Sequence, residues 1–475
     1  MPDTLKFYIN GCWVEPSSSA RRPVINPATE MPVSEIAMGT QADVDAAVLA
    51  ARRAFPAFSR TRVAERKELL EQILATFMTR YDDIAEAIML EVGAPRRLAY
   101  DWQAGIGKRH LQQLLRTLDD FAFQTLNGST LINLEPVGVV ALITPWNWPI
   151  NQIVCKVAPA LAAGCTMVLK PSEIAPLNGL LLAQVLHDAG VPAGVFNLVN
   201  GDGPTVGAAL ACHPDVDMVS FTGSTRAGIE VARLAAPTVK RVHQELGGKS
   251  ANILLDDVDL ETAVAAGVDA CFGNSGQSCN APTRMLVPTA LHDRAVEIAR
   301  RAASAHRLGP PDDPQTTLGP VISERQYLAI QRMIAIGIDE GAQLVCGGLD
   351  RPEHLDKGYY VKPTIFAGVS TQMTVSREEI FGPVLCIQPY EDEDQAVAMA
   401  NDSVFGLAAY VQSASLERAR AIALQLRVGS VYLNYPAWDA GAPFGGYKQS
   451  GNGREYAHWG LEAFLEVKGI IGYQP

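Results

Sequence analysis

No stretch of this 475-residue sequence holds the roughly 18 uninterrupted apolar residues that a bilayer-spanning helix needs, so a membrane protein is not expected. The opening MPDTLKFYIN lacks the apolar centre of a secretory signal, and a cytoplasmic location is expected. A basic excess is missing too. With 39 Lys and Arg against 51 Asp and Glu, the formal charge is −12 and a nucleic-acid partner is excluded. The eight cysteines, at 12, 155, 165, 212, 271, 279, 346 and 386, form no C-x-x-C and no disulfide framework, which fits a reducing compartment. The eight histidines show no H-E-x-x-H, so no metal site is expected.

What is present is an ordinary globular composition, with 48% hydrophobic residues, 19% charged and 40 glycines. The length exceeds what one core supports, so two or more domains are expected. Phe7-Tyr8-Ile9, Asn10-Gly11 and Cys12-Trp13-Val14 read as a hairpin around a type I′ turn. Thr40 with Asp43 resembles a capping box, after which Val44, Ala47, Val48, Ala51 and Phe55 recur at helical spacing. A second long helix carries Leu69, Leu70, Ile73, Leu74 and Phe77 on one face, and its continuation stops at Gly93 with Pro95 beyond.

From residue 137 the period changes. The runs VGVVALIT, TMVLK, GVFNLV and DMVSFT are short and nearly continuously apolar, and helix-like segments separate them, as in a parallel sheet covered on both faces. A second alternation of strands and helices spans SANILL (250–255) to VYLNY (431–435). The fold class is therefore α/β. STLINLE (129–135) and the closing EAFLEVKGII read as strands with no evident partner, which leaves an arm pairing across subunits and a plain edge strand both open.

Ligands of open parallel sheets bind beyond the strand C-termini. There the sequence places Ile143-Thr144-Pro145-Trp146-Asn147, Lys170-Pro171-Ser172-Glu173, Phe221-Thr222-Gly223-Ser224 and Glu245-Leu246-Gly247-Gly248. Gly201, Gly203 and Gly207 miss the G-x-G-x-x-G spacing by one, and GGKS lacks the first glycine of a phosphate loop because position 243 is His243. Glu173 after a strand can accept ribose hydroxyls and would repel a 2′-phosphate, although Lys170 and Ser172 could tolerate one. NAD is therefore preferred and NADP kept open.

The loop GQSCNAP sets Cys279 among small polar residues rather than in an apolar element. A nucleophilic thiol needs such a setting and an oxyanion acceptor. Asn147 offers a neutral donor for the oxyanion, and Glu245 a base for hydrolysing an acyl intermediate. A reductase of the Tyr-x-x-x-Lys type is disfavoured, since Tyr359 and Lys362 have the wrong spacing.

The ordered motifs NPATE, TPWNWP, LKPSE, FTGST, ELGGKS, GQSCNAP, EEIFGPV and PFGGYKQSGNGRE together resemble the aldehyde dehydrogenases of the hydrolytic, NAD(P)-dependent kind. The resemblance implies that Cys279 attacks the aldehyde, with Asn147 and the Cys279 amide stabilising the oxyanion. Hydride transfer to the nicotinamide then leaves a thioester that Glu245-activated water cleaves. It further implies cofactor contacts from Ile143, Thr144, Pro145, Trp146, Lys170, Ser172, Glu173, Gly203, Gly207, Phe221, Thr222, Gly223, Ser224, Leu246, Gly247, Glu379 and Phe381. The Rossmann-like cofactor domain would comprise 1–117 and 137–246, a second α/β catalytic domain 247–445, and a β-strand oligomerisation arm 118–136 and 446–475. Such an arm implies a homodimer or homotetramer. Relatives that transfer the acyl group to coenzyme A typically lack the glutamate, so Glu245 implies a free acid as product. Trp148, Gln152 and Trp438 would line the substrate tunnel, where Asn151, Gln152 and Cys155 suit an aldehyde with a polar end, such as an ω-oxo acid or a heteroaromatic semialdehyde.

Overall fold

The computed structural model describes residues 3–473. Its first sheet runs, in spatial order, Cys12–Val14, Phe7–Ile9, Phe196–Leu198, Thr166–Lys170, Val139–Ile143, Met218–Thr222, Arg241–Glu245 and Gly451–Asn452. The five strands from Phe196–Leu198 to Arg241–Glu245 are parallel. Side chains alternate between two apolar layers. Val140, Leu142, Met167 and Leu169 join helices Val63–Thr79, Tyr81–Val92, Gly105–Asp120, Pro149–Ala163 and Leu177–Asp188. Val139, Ala141, Ile143 and Val168 face the opposite layer, which contains helix Gln41–Phe58. Both faces are therefore dry, which explains why these strands read as unbroken apolar runs.

The second sheet has the order Gln343–Cys346, Thr364–Ala367, Val384–Tyr390, Arg284–Pro288, Ala251–Leu254, Ala408–Gln412 and Ser430–Leu433. Every neighbouring pair is parallel except the first. The hairpin at Asn10-Gly11 forms with both residues at positive φ, 52° and 77°, as its turn type demands. Asp43 accepts the Thr40 amide at 2.8 Å, the hydrogen bond expected of a capping box.

Three expectations need correction. The second long helix is two, Val63–Thr79 and Tyr81–Val92, because Arg80 leaves the helical region at φ −111°, ψ 11°. Gly93, left-handed at φ 76°, ends the second of them. Strands Thr130–Pro136 and Leu465–Ile471 are also not partnerless: they pair with each other, antiparallel over seven residues, beside Gln124–Asn127. Finally, the stretch after 445 is divided. Gly451–Asn452 pairs with Arg241–Glu245 in the first sheet, and helix Ala457–Ala463 contributes Leu461 to the main core, so only the last strand leaves the body. No described helix is long and apolar enough to cross a membrane.

Candidate active site

Helix Leu260–Phe272 starts at Asp259, whose carboxylate accepts the Thr262 hydroxyl at 2.7 Å, and it delivers the chain to the Cys279 loop. There the backbone reverses through three consecutive positive-φ residues: Asn274 (54°), Ser275 (55°) and Gly276 (73°). A β-carbon on Gly276 would lie 2.1 Å from the Gly382 carbonyl oxygen, so that position must be glycine. Asn tolerates the left-handed region and Ser less so, and such strain persists only where surrounding bonds hold it.

Those bonds converge on the reaction centre. Asn147 Nδ2 donates to the Gln277 carbonyl at 3.0 Å. Asn274 Nδ2 donates to the Asn147 carbonyl at 2.8 Å and to the Gln277 carbonyl at 3.3 Å, while its Oδ1 accepts from Gln103 Nε2 at 3.0 Å. Gln277 Oε1 accepts the Ile322 amide at 2.9 Å, and Trp148 Nε1 donates to Ser278 Oγ at 2.8 Å. Asn147 and the Cys279 loop are thus locked together from strands and helices far apart in the chain. Cys279 is partly exposed and packs against Cys155, Leu407, Phe444 and Tyr456. Desolvation, then the carboxylates of Glu379 and Glu245, push its thiol well up.

Glu245 is the last residue of its strand rather than the first beyond it, and it is buried. Neither carboxylate oxygen has a hydrogen-bond partner among the described residues. His243 Nε2 lies 3.4 Å away without bonding geometry, and burial holds that imidazole neutral, down at about 4. Burial, then the charge of Glu455, pushes the Glu245 carboxyl well above its usual range. Glu455 stays below its own despite burial, because it pairs with the fully buried Lys156.

The other strand ends form a cleft. Lys170 Nζ sits 3.3 Å from Glu173, and Ser172 is buried beside them. Ser224 caps helix Thr225–Ala235 by accepting the Ala227 amide at 3.3 Å, leaving a helix N-terminus aimed at the strand ends. Ile143 closes its strand, with Thr144, Pro145 and Trp146 following. Phe221 and Thr222 lie within their strand, one step earlier than anticipated, with the Phe221 ring beneath Gly223. Gly207 approaches the Lys170 stem, whereas Gly203 is exposed at the rim. From the loop before strand Val384–Tyr390, Glu379 accepts the Gly248 amide at 2.9 Å, and Phe381 meets Trp146 edge-on at 5.3 Å. A side chain on Gly247 would clash with Glu379 Oε2 at 2.3 Å, and Leu246 packs on Gly228. The buried hydroxyls of Thr144 and Thr222 lack partners among the described residues. Unpartnered hydroxyls, acids beside the strand ends and a helix N-terminus suit a dinucleotide.

The sequence profile of the aldehyde dehydrogenase family matches residues 13–470. The chain belongs to the aldehyde dehydrogenase family. This member is 57% identical, over the whole of both chains, to a 3-succinoylsemialdehyde-pyridine dehydrogenase of a Pseudomonas species. It is 46% identical to a putative aldehyde dehydrogenase of Staphylococcus aureus, again over both full lengths. Its fold superposes with TM-score 0.99 on aldehyde dehydrogenase C of Pseudomonas syringae, a cysteine-to-alanine mutant solved with NAD+ and octanal. That protein is 52% identical, and the match covers 99% of this chain and 97% of the other. An aldehyde dehydrogenase of Mycobacterium tuberculosis complexed with NAD+ gives TM-score 0.96 at 41% identity, covering 98% and 97%.

This aldehyde dehydrogenase gathers Asn147, Glu245 and Cys279 with the cleft residues, while Trp148 and Trp438 flank the cysteine. Gln152 is buried within helix Pro149–Ala163, its Oε1 without a partner among the described residues. Sequence reasoning missed Asn274, Lys156, Glu455 and His110. Asn274 and Glu455 lie inside or beside quoted motifs, but only contacts more than 120 residues away give them a role.

Proposed function

We propose that the enzyme oxidises an aldehyde to its free acid with NAD+, through a thioester on Cys279. The carrying observation is that Asn147 Nδ2 bonds the Cys279 loop while Glu245 offers two unpaired buried oxygens. When bound, NAD+ supplies the hydride acceptor. The cleft residues Thr144, Lys170, Glu173, Ser224, Glu379 and Phe381 would hold it; Glu173 and Glu379 disfavour a 2′-phosphate, so NADP is the weaker choice.

The Cys279 thiol releases its proton to water as its sulfur adds to the carbonyl carbon, and the oxyanion is met by Asn147 Nδ2 and the Cys279 amide. Loss of one such donor costs about 10²–10³ in rate. After oxidation, Glu245 removes a proton from water, which attacks the thioester; the acid departs and Cys279 is restored. The 57% identity, over both full lengths, to a 3-succinoylsemialdehyde-pyridine dehydrogenase supports a heteroaromatic semialdehyde as substrate.

The deciding experiment is rapid mixing of Glu245→Gln with aldehyde and NAD+. One NADH per site should form and then stall with acyl-enzyme trapped, while Cys279→Ala forms none. An unchanged steady-state rate in either variant, or acyl transfer to coenzyme A without acid in water, would overturn the reading.

We divide the chain into a cofactor domain (1–117 and 137–246), a catalytic domain (247–445) and an arm narrowed to 124–136 with 465–471. Val467 and Ile471, 71% and 87% exposed on the last strand, support a homodimer or homotetramer built through that arm; light scattering should give two or four chains. The absence of disulfides among eight free cysteines supports a cytoplasmic site.

A further inference from the structure

The base has a buried neighbour. His243 and Glu245 alternate with Gln244 along one strand, so their side chains share a face of the sheet. His243 is 4% exposed, and both of its ring nitrogens, like both Glu245 oxygens, lack hydrogen-bond partners among the described residues. Its Nε2 stops 3.4 Å from Glu245 Oε1. Buried polar atoms left unpartnered are costly, and catalytic hydrogen bonds commonly start long and tighten as the reacting groups arrive.

Glycine shapes the seat of this imidazole. Gly453 holds φ 82°, and a β-carbon there would lie 2.4 Å from His243 Cδ2 and 2.8 Å from Nε2. Gly445, at φ 151°, approaches Glu245 Oε1 in the same way, at 2.6 Å. Backbone therefore confines both side chains, and neither glycine could carry a side chain without displacing one of them.

The surrounding cations are committed elsewhere. Facing the pair are Lys156 from helix Pro149–Ala163, Arg454 and Glu455 from the segment after Gly451–Asn452, Arg241 from the same strand, and the Cys155 and Cys279 thiols. Lys156 pairs with Glu455 and donates at 3.2 Å to Ser220 Oγ, beside His243 on the neighbouring strand. Arg454 donates to the Gly446 and Gly453 carbonyls, and Arg241 to the Ala463 and Leu465 carbonyls and to Glu466. Burial brings the His243 imidazole down to about 4, so it is neutral and carries one N–H. With that proton on Nε2, the ring can donate to an ionised carboxylate.

We propose that His243 is a positioning residue for Glu245: its Nε2–H donates to the carboxylate once that group is ionised, holding the charge and aiming the other oxygen at the water that cleaves the thioester. The water's proton still passes to Glu245, and the imidazole stays neutral. This rests on the reading of Glu245 as the base.

The test follows acyl-enzyme decay against pH by quenched-flow mass spectrometry, in the full-length enzyme mixed with NAD+ and either 3-succinoylsemialdehyde-pyridine or octanal. Removing a donor to the charged form raises a carboxyl's pKa. His243→Leu should therefore move the pH midpoint of decay up by about one unit and slow decay about tenfold below it, with the NADH burst amplitude preserved. His243→Gln, which restores an N–H donor, should bring the midpoint back to within about half a unit of wild type. Where His243→Leu does not fold, Gly453→Ala, whose β-carbon displaces the ring, should show the same upward shift. An unshifted midpoint in whichever of these two folds, or a midpoint in His243→Gln as high as in His243→Leu, would overturn the assignment. If Glu245→Gln still stalls after one NADH, the base reading survives that result; if it turns over normally, both fall.

Discussion

Replacing Asn274 isolates what the left-handed turn before Cys279 contributes. In Asn274→Ala the carbonyl of Asn147 loses its 2.8 Å donor, the carbonyl of Gln277 loses one of two, and Gln103 Nε2 loses its acceptor, all in a buried setting. Each buried group left unsatisfied costs about 1–3 kcal/mol, although Gln277 still accepts from Asn147. Alanine at φ 54° adds about 1 kcal/mol of backbone strain. The total destabilisation expected is about 3–7 kcal/mol. Asn274→Gly removes the same hydrogen bonds but relieves the strain, so it should be more stable than the alanine variant in urea by about 1 kcal/mol.

The two variants should nevertheless share a catalytic defect. Asn147 would keep its bond to the Gln277 carbonyl but lose the contact that fixes its own backbone, so its donor would wander from the developing oxyanion. Complete loss of such a donor costs about 10²–10³, so a loosened one should lower kcat about 10- to 100-fold with a smaller change in KM. Initial rates of NADH formation, set beside urea melts, separate the effects. A glycine variant with wild-type kcat would refute the idea that Asn274 positions the oxyanion hole.

Three further outcomes follow from the same geometry. Burial and Glu455 raise the Glu245 carboxyl, so the proton must leave before it can act as base: kcat should climb as pH rises through its raised value, and single-turnover deacylation in Glu245→Gln should lose that dependence. The same raised acid contributes stability that is complete below the ordinary carboxylate range and is lost as pH rises through its folded value, so urea midpoints should fall slightly as pH rises past that value. In Gly445→Ala, a β-carbon would stand 2.6 Å from Glu245 Oε1 at a φ of 151°; deacylation should slow at least about tenfold with NADH burst amplitude preserved, checked by stopped flow. Lys156→Met leaves Glu455 buried and unpaired, and urea unfolding should register a loss of about 3–5 kcal/mol, whereas Lys156→Met with Glu455→Gln should recover part of it.

Both parallel sheets were legible because a strand buried on two faces must be apolar throughout, and its end is marked where polar groups resume at the ligand cleft. That logic located Thr144, Lys170, Ser224 and Glu245 within a residue or two of a strand end. It failed where partnership depends on distance along the chain. Nothing in STLINLE names its antiparallel partner more than 300 residues on, and nothing in the spacing of Lys156 and Glu455 says that they pair. His110 sits on a helix face like any core histidine, and only the Trp438 and Tyr456 rings packed on it from far along the chain give it meaning. Asn274 was hidden for another reason: its signal is a backbone angle, and asparagine before a glycine turn is common in loops of every kind.

The two buried glutamates show how one environment assigns opposite roles to one side chain. Glu455 faces Lys156, Cys155 and the Ser220–Lys156 contact, and the ammonium holds it ionised even though burial works against the charge. Burial first, and then the charge of Glu455, raises the Glu245 carboxyl, and the charges of Lys156 and Arg454 offset only part of that rise. Glu455 is fixed and charged, a structural counter-ion; Glu245 has no hydrogen-bond partner among the described residues and must be ionised before it can take a proton from water. Environments that drive the pKa values of neighbouring acids apart are what separate a base from its scaffold. Exchanging the environments, by removing Lys156 rather than either acid, should therefore change the pH at which deacylation begins as well as the stability of the fold.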